Sequence, residues 1–374
     1  MSEMKVTYDA QVFSFQEYGG ISRYYCELMK QFSLMDGIEP SLIIRYSNSH
    51  YLREFPSIHA KPFFPSFRFK GRNEIIKLFN RRYVRHHIHR TLQPDIFHPT
   101  YYDPYFLDFL NELPFVLTIY DMSHELYPQF FSIYDFTAEN KKKVAAKAAR
   151  IIAISENTKK DIITLLNIPA SKIDVIPLAT TLSPNGMLQT AMPLPANYFL
   201  YVGKRNTYKN FPFLLDALHI LSKRENHSSL ICAGGGPFTT EERKTIQRLQ
   251  LTEKVIQQDI DDRALASLYS SAQALVFPSL YEGFGIPVLE AFACGCPVLL
   301  SNRSSLPEVG GDAANYFDPE NVSSLVEKLS EVLEDKTLAD GLRSKGINRL
   351  KLFSWTRTAL KTLETYQQAV HGGP

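Results

Sequence analysis

The hydrophobic and polar positions of this chain repeat with two different periods. Short runs rich in β-branched and aromatic residues predict strands at residues 4–8, 41–45, 96–98, 115–120, 151–154 and 172–176. Segments with the 3.6-residue period of amphipathic helices separate these runs, as at residues 21–32 and 138–149. Strands that alternate with helices in this way predict an α/β fold with parallel sheets.

A second series of the same kind begins after a stretch rich in turn-forming residues, ATTLSPNGMLQTAMPLPAN. Its strands are predicted in the runs YFLYVG, SSLICAGGG, KVIQQD, ALVFPS and PVLLSN. We therefore place a linker near residues 181–197 and predict two doubly wound domains that face each other across a cleft. The ligands of such sheets bind at the carboxyl ends of the strands, so the loops after YVG, ICAGGG and ALVFPS are the candidate site.

The last predicted helix lies within FSWTRTALKTLETYQQAV, residues 353–370. An apolar stripe runs through Trp355, Leu360, Leu363 and Tyr366, which predicts that this face is buried.

Composition supports two ordinary globular domains. The chain has 374 residues, 44% of them hydrophobic and 21% charged, and its net charge of +2 is too small to indicate a nucleic-acid partner. Its four cysteines form neither a CxxC pair nor a set with zinc-ligand spacing, which fits a reducing cytoplasm. Because neither a signal-peptide pattern nor a membrane-length apolar run is present, we expect a soluble or at most peripheral protein.

The densest chemical signal is YEGFGIPVLEAF, which follows the predicted strand ALVFPS. Gly283 and Gly285 let the backbone approach a ligand closely, and Pro287 suits the first turn of a helix. Free N–H groups at that helix start favour a phosphate, while Glu290 can accept hydrogen bonds from sugar hydroxyls. A nucleotide sugar carries both groups. The alternative is an ordinary strand-turn-helix with acidic residues near its N-terminus.

Together with GCPVLLSN and LPEVGGDAANYFDP, this stretch resembles the Glu-x7-Glu region of the family-four retaining glycosyltransferases. The segments YVGKRNTYKN and GGISRYYCELMK, with ISENTKKDI and DVIPLA, extend the resemblance in order over nearly the whole chain. It implies the GT-B fold, with an N-terminal acceptor-binding Rossmann-like domain over residues 1–185 and a C-terminal nucleotide-sugar-binding one over 186–352. It also implies that a final helix within 353–374 crosses back toward the N-terminal domain.

For the sugar and ribose of the donor, the resemblance implies the following roles. Glu290 binds the nucleotide ribose, Glu282 lies beside the transferred sugar, and the backbone of Phe284, Gly285 and Ile286 lies close to the sugar and phosphates.

For the diphosphate, the resemblance implies a pair of cations after the strand that ends at Gly203. Lys209 matches one of them, and its companion is Lys204 or Arg205. We favour Arg205, because a guanidinium can bind phosphate oxygens in a bidentate manner. A solvated basic loop is the alternative.

In the N-terminal half, the resemblance implies that the Gly19-Gly20 loop reaches the donor phosphate. Many relatives place a histidine where this chain has Tyr120, and we expect His124 to replace it at the transferred sugar. The alternatives are a glycine pair at a helix start and a purely structural histidine.

Two further segments each have two interpretations, one as a ligand contact and one as an element of local structure. Asp261-Asp262 lies near the nucleotide base or caps a helix. The run GGGP, residues 234–237, approaches the nucleotide or only turns the chain.

The implied reaction moves a sugar from a nucleoside diphosphate to an acceptor hydroxyl with retention of the anomeric configuration, without a metal or cofactor. The most specific expectation is mannose from GDP-mannose, passed to a glycan or lipid-linked oligosaccharide in O-antigen or capsule synthesis. The basic and apolar segment 67–90 indicates either contact with the inner face of the cytoplasmic membrane or a solvated helix face. A noncatalytic nucleotide-sugar-binding protein and a GT-B epimerase are the alternatives.

Overall fold

A computed structural model describes residues 3–55, 58–67, 69–88, 93–183, 194–205, 207–224, 228–259 and 261–372. The chain forms two compact units, Met1–Leu178 with Trp355–Pro374, and Ala179–Ser354. Most of the linker predicted near 181–197 lies outside the described residues, as do residues 68, 89 and 90 of the basic segment.

The first unit is built on parallel strands. They are β1 (Met4–Asp9), β2 (Ile38–Ile43), β3 (Ile96–His98), β4 (Val116–Ile119), β5 (Arg150–Ala153) and β6 (Ile173–Val175). They pair in the orders β2-β1-β3 and β4-β5-β6, with Val6 opposite Ile96. A parallel bridge between Phe97 and Phe115 joins the two sets. The second strand begins and ends earlier than the predicted 41–45, because its pairing with β1 starts at Ile38.

Helices connect these strands as the alternating pattern predicts. They are α1 (Gly20–Phe32), α2 (Arg72–His87), α3 (Ser123–Leu126), α4 (Thr137–Lys147) and α5 (Glu156–Leu166). Helix α5 shows why such a segment starts and stops where it does. The hydroxyl of Ser155 accepts the amide of Thr158 at 3.0 Å, and Asn167 ends the helix in the left-handed conformation.

The second unit is a single doubly wound parallel sheet. Its strands are β7 (Tyr198–Val202), β8 (Ser229–Ala233), β9 (Val255–Gln258), β10 (Ala274–Phe277), β11 (Val298–Ser301) and β12 (Asn315–Phe317). The strand order is β12-β11-β10-β7-β8-β9. Successive strands are added on one side of β7 as far as β9 and on its other side from β10 to β12, so the strand order reverses between the neighbours β7 and β10. That reversal creates a crevice outside the carboxyl ends of these two strands, where ligands of open α/β sheets bind. The edge strand β12 is absent from the sequence prediction.

Helices cover both faces of this sheet. They are α6 (Phe211–Ser222), α7 (Thr240–Arg248), α8 (Asp262–Ser271), α9 (Ile286–Ala293), α10 (Leu306–Gly310), α11 (Val322–Glu334) and α12 (Lys336–Leu350). Leu214 and Leu329 from two of them are buried against Phe199, Leu230 and Val276 of the sheet. Asp261 caps α8 by accepting the amide of Ala264 at 2.8 Å, as one of its two interpretations predicts.

The last helix, α13 (Trp355–His371), belongs to the first unit. The predicted apolar stripe is wrong at Leu360, whose side chain is 48% exposed. Threonines take up much of the buried face instead, because their hydroxyls have partners there: Thr358 donates to the carbonyl of Pro177 at 2.8 Å and Thr365 to Asp174 at 3.0 Å.

Candidate active site

Lys209 and Glu282 meet at the crevice between β7 and β10. Lys209 ends the short turn that follows β7, and Glu282 lies in the loop that follows β10. The Lys209 ammonium donates to both carboxylate oxygens of Glu282 at 2.7 Å, and Ser279 donates to one of them at 2.6 Å. The two side chains are only 20% and 10% exposed, so a nearly buried ion pair occupies this position.

The loop from Glu282 to Gly285 is fixed by the segment after β11. Ser304 accepts the Glu282 amide at 2.8 Å and donates to the Glu282 carbonyl, while Ser305 donates to the carbonyls of Glu282 and Phe284. Gly285 has a φ of +104°, and a Cβ there would lie 3.1 Å from Leu306. A side chain at this position would be strained, so the glycine sets how the chain enters α9.

Glu290 lies in the second turn of α9 and is buried. The hydroxyl of Tyr269 donates to its carboxylate at 3.0 Å. Burial, followed by the nearby charge of Glu290, raises the pKa of Tyr269 well above its ordinary value, so this phenol stays a donor. The carboxylate is thereby oriented one helical turn from the backbone of Phe284, Gly285 and Ile286.

Arg205 lies against the GGGP turn, and its binding of the donor phosphates stays a prediction. Its side chain is 3% exposed, and its guanidinium donates to Glu242 and to the carbonyls of Gly234, Gly236 and Pro237. The planar guanidinium that favours phosphate also fits a turn lined by carbonyl oxygens. The residue type alone therefore cannot distinguish a phosphate-binding arginine from one that holds a turn. Lys204, the companion that we did not favour, is exposed.

The turn held by Arg205 also depends on a glycine. Gly235 has a φ of +72°, and a Cβ there would lie 2.6 Å from the carbonyl oxygen of Gly203. The GGGP segment therefore turns the chain tightly against the end of β7.

In the first unit, Gly19 and Gly20 precede and begin α1, as predicted. The side chain of Gln16 already accepts the Ser22 amide of this helix start at 3.2 Å, and a Cβ on Gly19 would overlap Gln16. Gly19 thus makes room for a side-chain cap. Contact of this loop with a donor phosphate stays a prediction.

His124 lies in α3, stacked on Phe131 with ring centroids 3.8 Å apart. Its Nε2 is 3.5 Å from Asp135. Burial, then the charge of Lys141, lowers the pKa of His124, which favours the neutral form of the ring. Its contact with a transferred sugar stays a prediction.

Sequence reasoning missed Lys141, which holds the segment that carries His124. Its buried ammonium donates to the carbonyl of Asp121 at 2.8 Å and to Glu125 at 2.9 Å. Burial acts to raise the pKa of Asp121, but Lys141 and the hydrogen bonds from Ser123 outweigh it and lower that pKa. The available signal was a lysine three residues before Val144, on the buried face of α4.

Sequence reasoning also missed a cavity of about 350 Å³ within the first unit. Phe15 and Tyr101 form an aromatic wall with ring centroids 5.1 Å apart, and Gln11 and Tyr105 line it with polar groups. Buried Asp9 orients both polar groups, accepting from Gln11 at 2.8 Å and from Tyr105 at 2.9 Å. An aspartate at the end of the first predicted strand was the available signal.

Comparison with known proteins finds two family profiles that match the chain. The profile described as Glycosyl transferases group 1 matches residues 189–349, which include the Lys209–Glu282 pair and Glu290. The profile described as Glycosyltransferase Family 4 matches residues 18–183. The chain is a family-four glycosyltransferase. It transfers glycosyl groups, and its two Rossmann-like units have the GT-B fold, as predicted.

Individual relatives of this glycosyltransferase include mannosyltransferases. O-antigen chain mannosyltransferase B of Escherichia coli is 27% identical over 379 residues, covering 93% of this chain and 96% of the relative. MMP alpha-(1->4)-mannosyltransferase of Mycolicibacterium hassiacum is 28% identical, covering 62% of this chain and 57% of the relative. Among solved structures, Anabaena HepE in complex with UDP and glucose has a TM-score of 0.74 at 17% identity, covering 98% of this chain and 99% of HepE.

Within the described residues, no three His, Cys, Asp or Glu side chains are grouped as metal ligands. The expectation that this glycosyltransferase works without a metal or cofactor stays a prediction.

Proposed function

We propose that this glycosyltransferase moves mannose from GDP-mannose to a hydroxyl of a growing surface polysaccharide, with retention of configuration. The observation that carries the proposal is the Lys209–Glu282 pair at the crevice, with Glu290 in α9, the helix that begins directly after the Glu282 loop. Two relatives named as mannosyltransferases support the choice of sugar, and the E. coli relative supports the O-antigen type of product.

The donor binds along α9 and the loop after β7. Glu290 accepts hydrogen bonds from the ribose hydroxyls, because its carboxylate is buried and already oriented by Tyr269. The α- and β-phosphates lie near Lys209 and the start of α9, where a cation and the positive end of the helix dipole favour negative charge. Exposed Lys204 supplies the second cation in place of Arg205.

Glu282 orients the transferred sugar and is not the nucleophile of a double displacement. Lys209 occupies both carboxylate oxygens, and Ser279 donates to one of them, which lowers their nucleophilicity. A retaining double displacement also needs a second carboxyl about 5 Å away across the scissile bond, whereas Glu290 is assigned to the ribose. The departing phosphate takes the proton of the acceptor hydroxyl on the same face. The alpha linkage named for the M. hassiacum relative agrees with retention of an α-linked donor.

The acceptor glycan binds the cavity of the first unit. An aromatic wall with a few oriented polar groups matches a sugar, which presents apolar C–H faces and hydroxyl edges. The acceptor is lipid-linked, and the enzyme works at the cytoplasmic face of the membrane where such acceptors are held.

A donor screen tests the proposal. The enzyme is incubated with GDP-mannose, UDP-glucose, UDP-galactose or GDP-fucose and a mannosylated lipid-analogue acceptor, with and without EDTA. We expect release of GDP from GDP-mannose only, growth of the acceptor by one mannose in an α linkage detected by NMR, and no loss with EDTA. Turnover of another donor, a β-linked product or binding without transfer would each contradict a named part of the proposal. The matched controls are Glu290→Gln, which should weaken donor binding, and Glu327→Gln, an exposed glutamate on α11.

A further inference from the structure

Helix α2 has an outward face that is both apolar and basic. Arg72, Ile76, Asn80 and Val84 are its buried residues. On the opposite side, Ile75, Leu78 and Phe79 are 38%, 54% and 45% exposed. One turn further, Arg82 and Arg85 are exposed on the same stripe. Surface helices of soluble proteins normally place polar residues on this side, so the stripe is the reverse of the usual pattern.

The segment before α2 extends this stripe. Phe64 and Phe67 are 59% and 65% exposed. Ring contacts run from Phe64 to Phe63 at 5.0 Å and from Phe63 to Phe79 of the helix at 6.4 Å. The aromatic side chains therefore form one continuous surface, which we call the α2 surface and define by Phe64, Phe67, Ile75, Leu78, Phe79, Arg82 and Arg85.

The charge around the α2 surface is one-sided. Lys61, Lys70, Arg82 and Arg85 are exposed, and none of them forms an ion pair with another described residue. The exposed acid on α2, Glu74, pairs with Lys77 at 2.7 Å. Exposed aromatic side chains next to uncompensated bases match an anionic lipid surface, in which rings enter the headgroup region and bases contact phosphates. A second copy of the chain would bring the same positive charge to both sides of an interface.

The other side of α2 lines the cavity in the first unit. Asn73, Lys77 and Arg81 line that cavity, and their mean direction is roughly a third of a helical turn away from that of Ile75, Leu78 and Arg82. One helix thus carries the wall of the proposed acceptor pocket and the apolar stripe. If the apolar stripe contacts the membrane, the proposed acceptor pocket lies close to the bilayer from which a lipid-linked glycan extends.

We propose that the α2 surface docks this glycosyltransferase on an anionic lipid bilayer. The inference deepens the proposed function by naming how a lipid-linked acceptor is reached, and it stands apart from the identity of the donor. Within the described residues no helix is long and apolar enough to span a bilayer, so this contact is interfacial. Each basic residue near an anionic surface should raise the partition coefficient roughly five-fold.

Vesicle flotation of the full chain tests this proposal. The vesicles are phosphatidylcholine alone, or phosphatidylcholine with 30% phosphatidylglycerol, each at 0.1 M and 0.5 M NaCl. The apolar variant is Phe67→Ser/Leu78→Gln/Phe79→Gln, and the charge variant is Arg82→Gln/Arg85→Gln. The matched control is Ile347→Gln/Leu360→Gln, which removes apolar side chains that are 51% and 48% exposed elsewhere.

We expect the wild type and the control to float with anionic vesicles at 0.1 M NaCl and to float much less with neutral vesicles or at 0.5 M NaCl. The partition coefficient of the charge variant should fall about 25-fold, and the apolar variant should stay in the bottom fraction of the gradient. Equal flotation of either variant and the wild type, flotation independent of lipid charge, or no flotation of the wild type overturns the proposal. Self-association lost in the apolar variant, without vesicle binding, would assign the surface to a second copy instead.

Two readouts separate this proposal from the proposed function. All variants should retain wild-type turnover with a water-soluble mannoside acceptor, because none of the changed residues lies in the donor or acceptor site. If the wild type shows no turnover with the soluble acceptor, the result counts against the proposed function. If it turns over the soluble acceptor but does not float with vesicles, the result counts against the membrane contact alone. Unchanged circular dichroism and melting temperatures establish that the variants are folded.

Discussion

Replacing Lys209 by methionine separates a role in folding from a role in catalysis. The substitution keeps most of the side-chain volume but removes the ammonium that lies 2.7 Å from both oxygens of Glu282. Since this carboxylate is 10% exposed, it is left almost buried, with the hydroxyl of Ser279 as a donor to one oxygen. Removing one partner of such a pair costs about 3 kcal/mol, which for a unit of this size lowers the melting temperature by roughly 6–12 °C.

Catalysis should respond differently from stability. If Lys209 stabilises charge on the departing diphosphate, its loss lowers kcat by about 10²–10³, as for other preorganised charge stabilisers. The double variant Lys209→Met/Glu282→Gln places a neutral amide opposite methionine, so no charge is left unpaired. It should regain most of the lost stability and none of the activity that depends on Lys209.

The assay measures GDP release under saturating donor and acceptor, with melting temperatures on the same preparations. Glu282→Gln alone is the reference for the double variant. A double variant that turns over as fast as Glu282→Gln would refute the reasoning, since Lys209 would then act only as the counter-ion of Glu282.

Further predictions concern the other site residues. Glu290→Gln should weaken GDP binding by at least ten-fold in calorimetry with little change in melting temperature; unchanged affinity would remove Glu290 from the ribose site. Full turnover in His124→Ala would show that His124 supports only the fold. Arg205→Gln should lower the melting temperature and Lys204→Gln only turnover, and the reverse result would restore Arg205 to the phosphate site. Burial lowers the pKa of His98 to about 3, against 6.5 in the unfolded chain, so the unfolded state binds more protons below pH 6.5. Stability from this group should fall by about 2 kcal/mol between pH 7 and pH 5, and His98→Gln should remove that part of the pH dependence in urea denaturation.

Most of the fold could be predicted from the sequence, because parallel buried strands are continuous apolar runs. The runs ALVFPS and YFLYVG each contain a strand of the observed sheet, and their pairing makes the crevice. Strand β12 (Asn315–Phe317) could not be found in this way, since it has three residues and neither central position nor full burial. The buried face of α13 was misjudged because a threonine hydroxyl counts as polar until its hydrogen-bond partner is known.

The sequence indicates candidate residues for the site but not the contacts that those residues make. Glycine and proline around Glu282 fix a strand-loop-helix from local chemistry alone, whereas the partner of a cation depends on distant segments. Arg205 shows this dependence, since its acceptors include carbonyls about thirty residues further along the chain. The cavity beside Phe15 was missed for the same reason, as its walls come from four separate segments.

The pairing of Lys209 with Glu282 bears directly on how the proposed reaction gains speed. In the resting enzyme the carboxylate competes with any incoming phosphate for the same ammonium, so the pair weakens binding of the donor in its ground state. As the sugar–phosphate bond breaks, negative charge grows on the diphosphate and positive charge on the sugar. Lys209 then attracts the diphosphate more strongly, and Glu282 attracts the positively charged sugar. Interactions that strengthen only as the bond breaks raise kcat rather than affinity. A site that binds GDP-mannose modestly and still turns it over quickly is therefore the physical expectation for this arrangement.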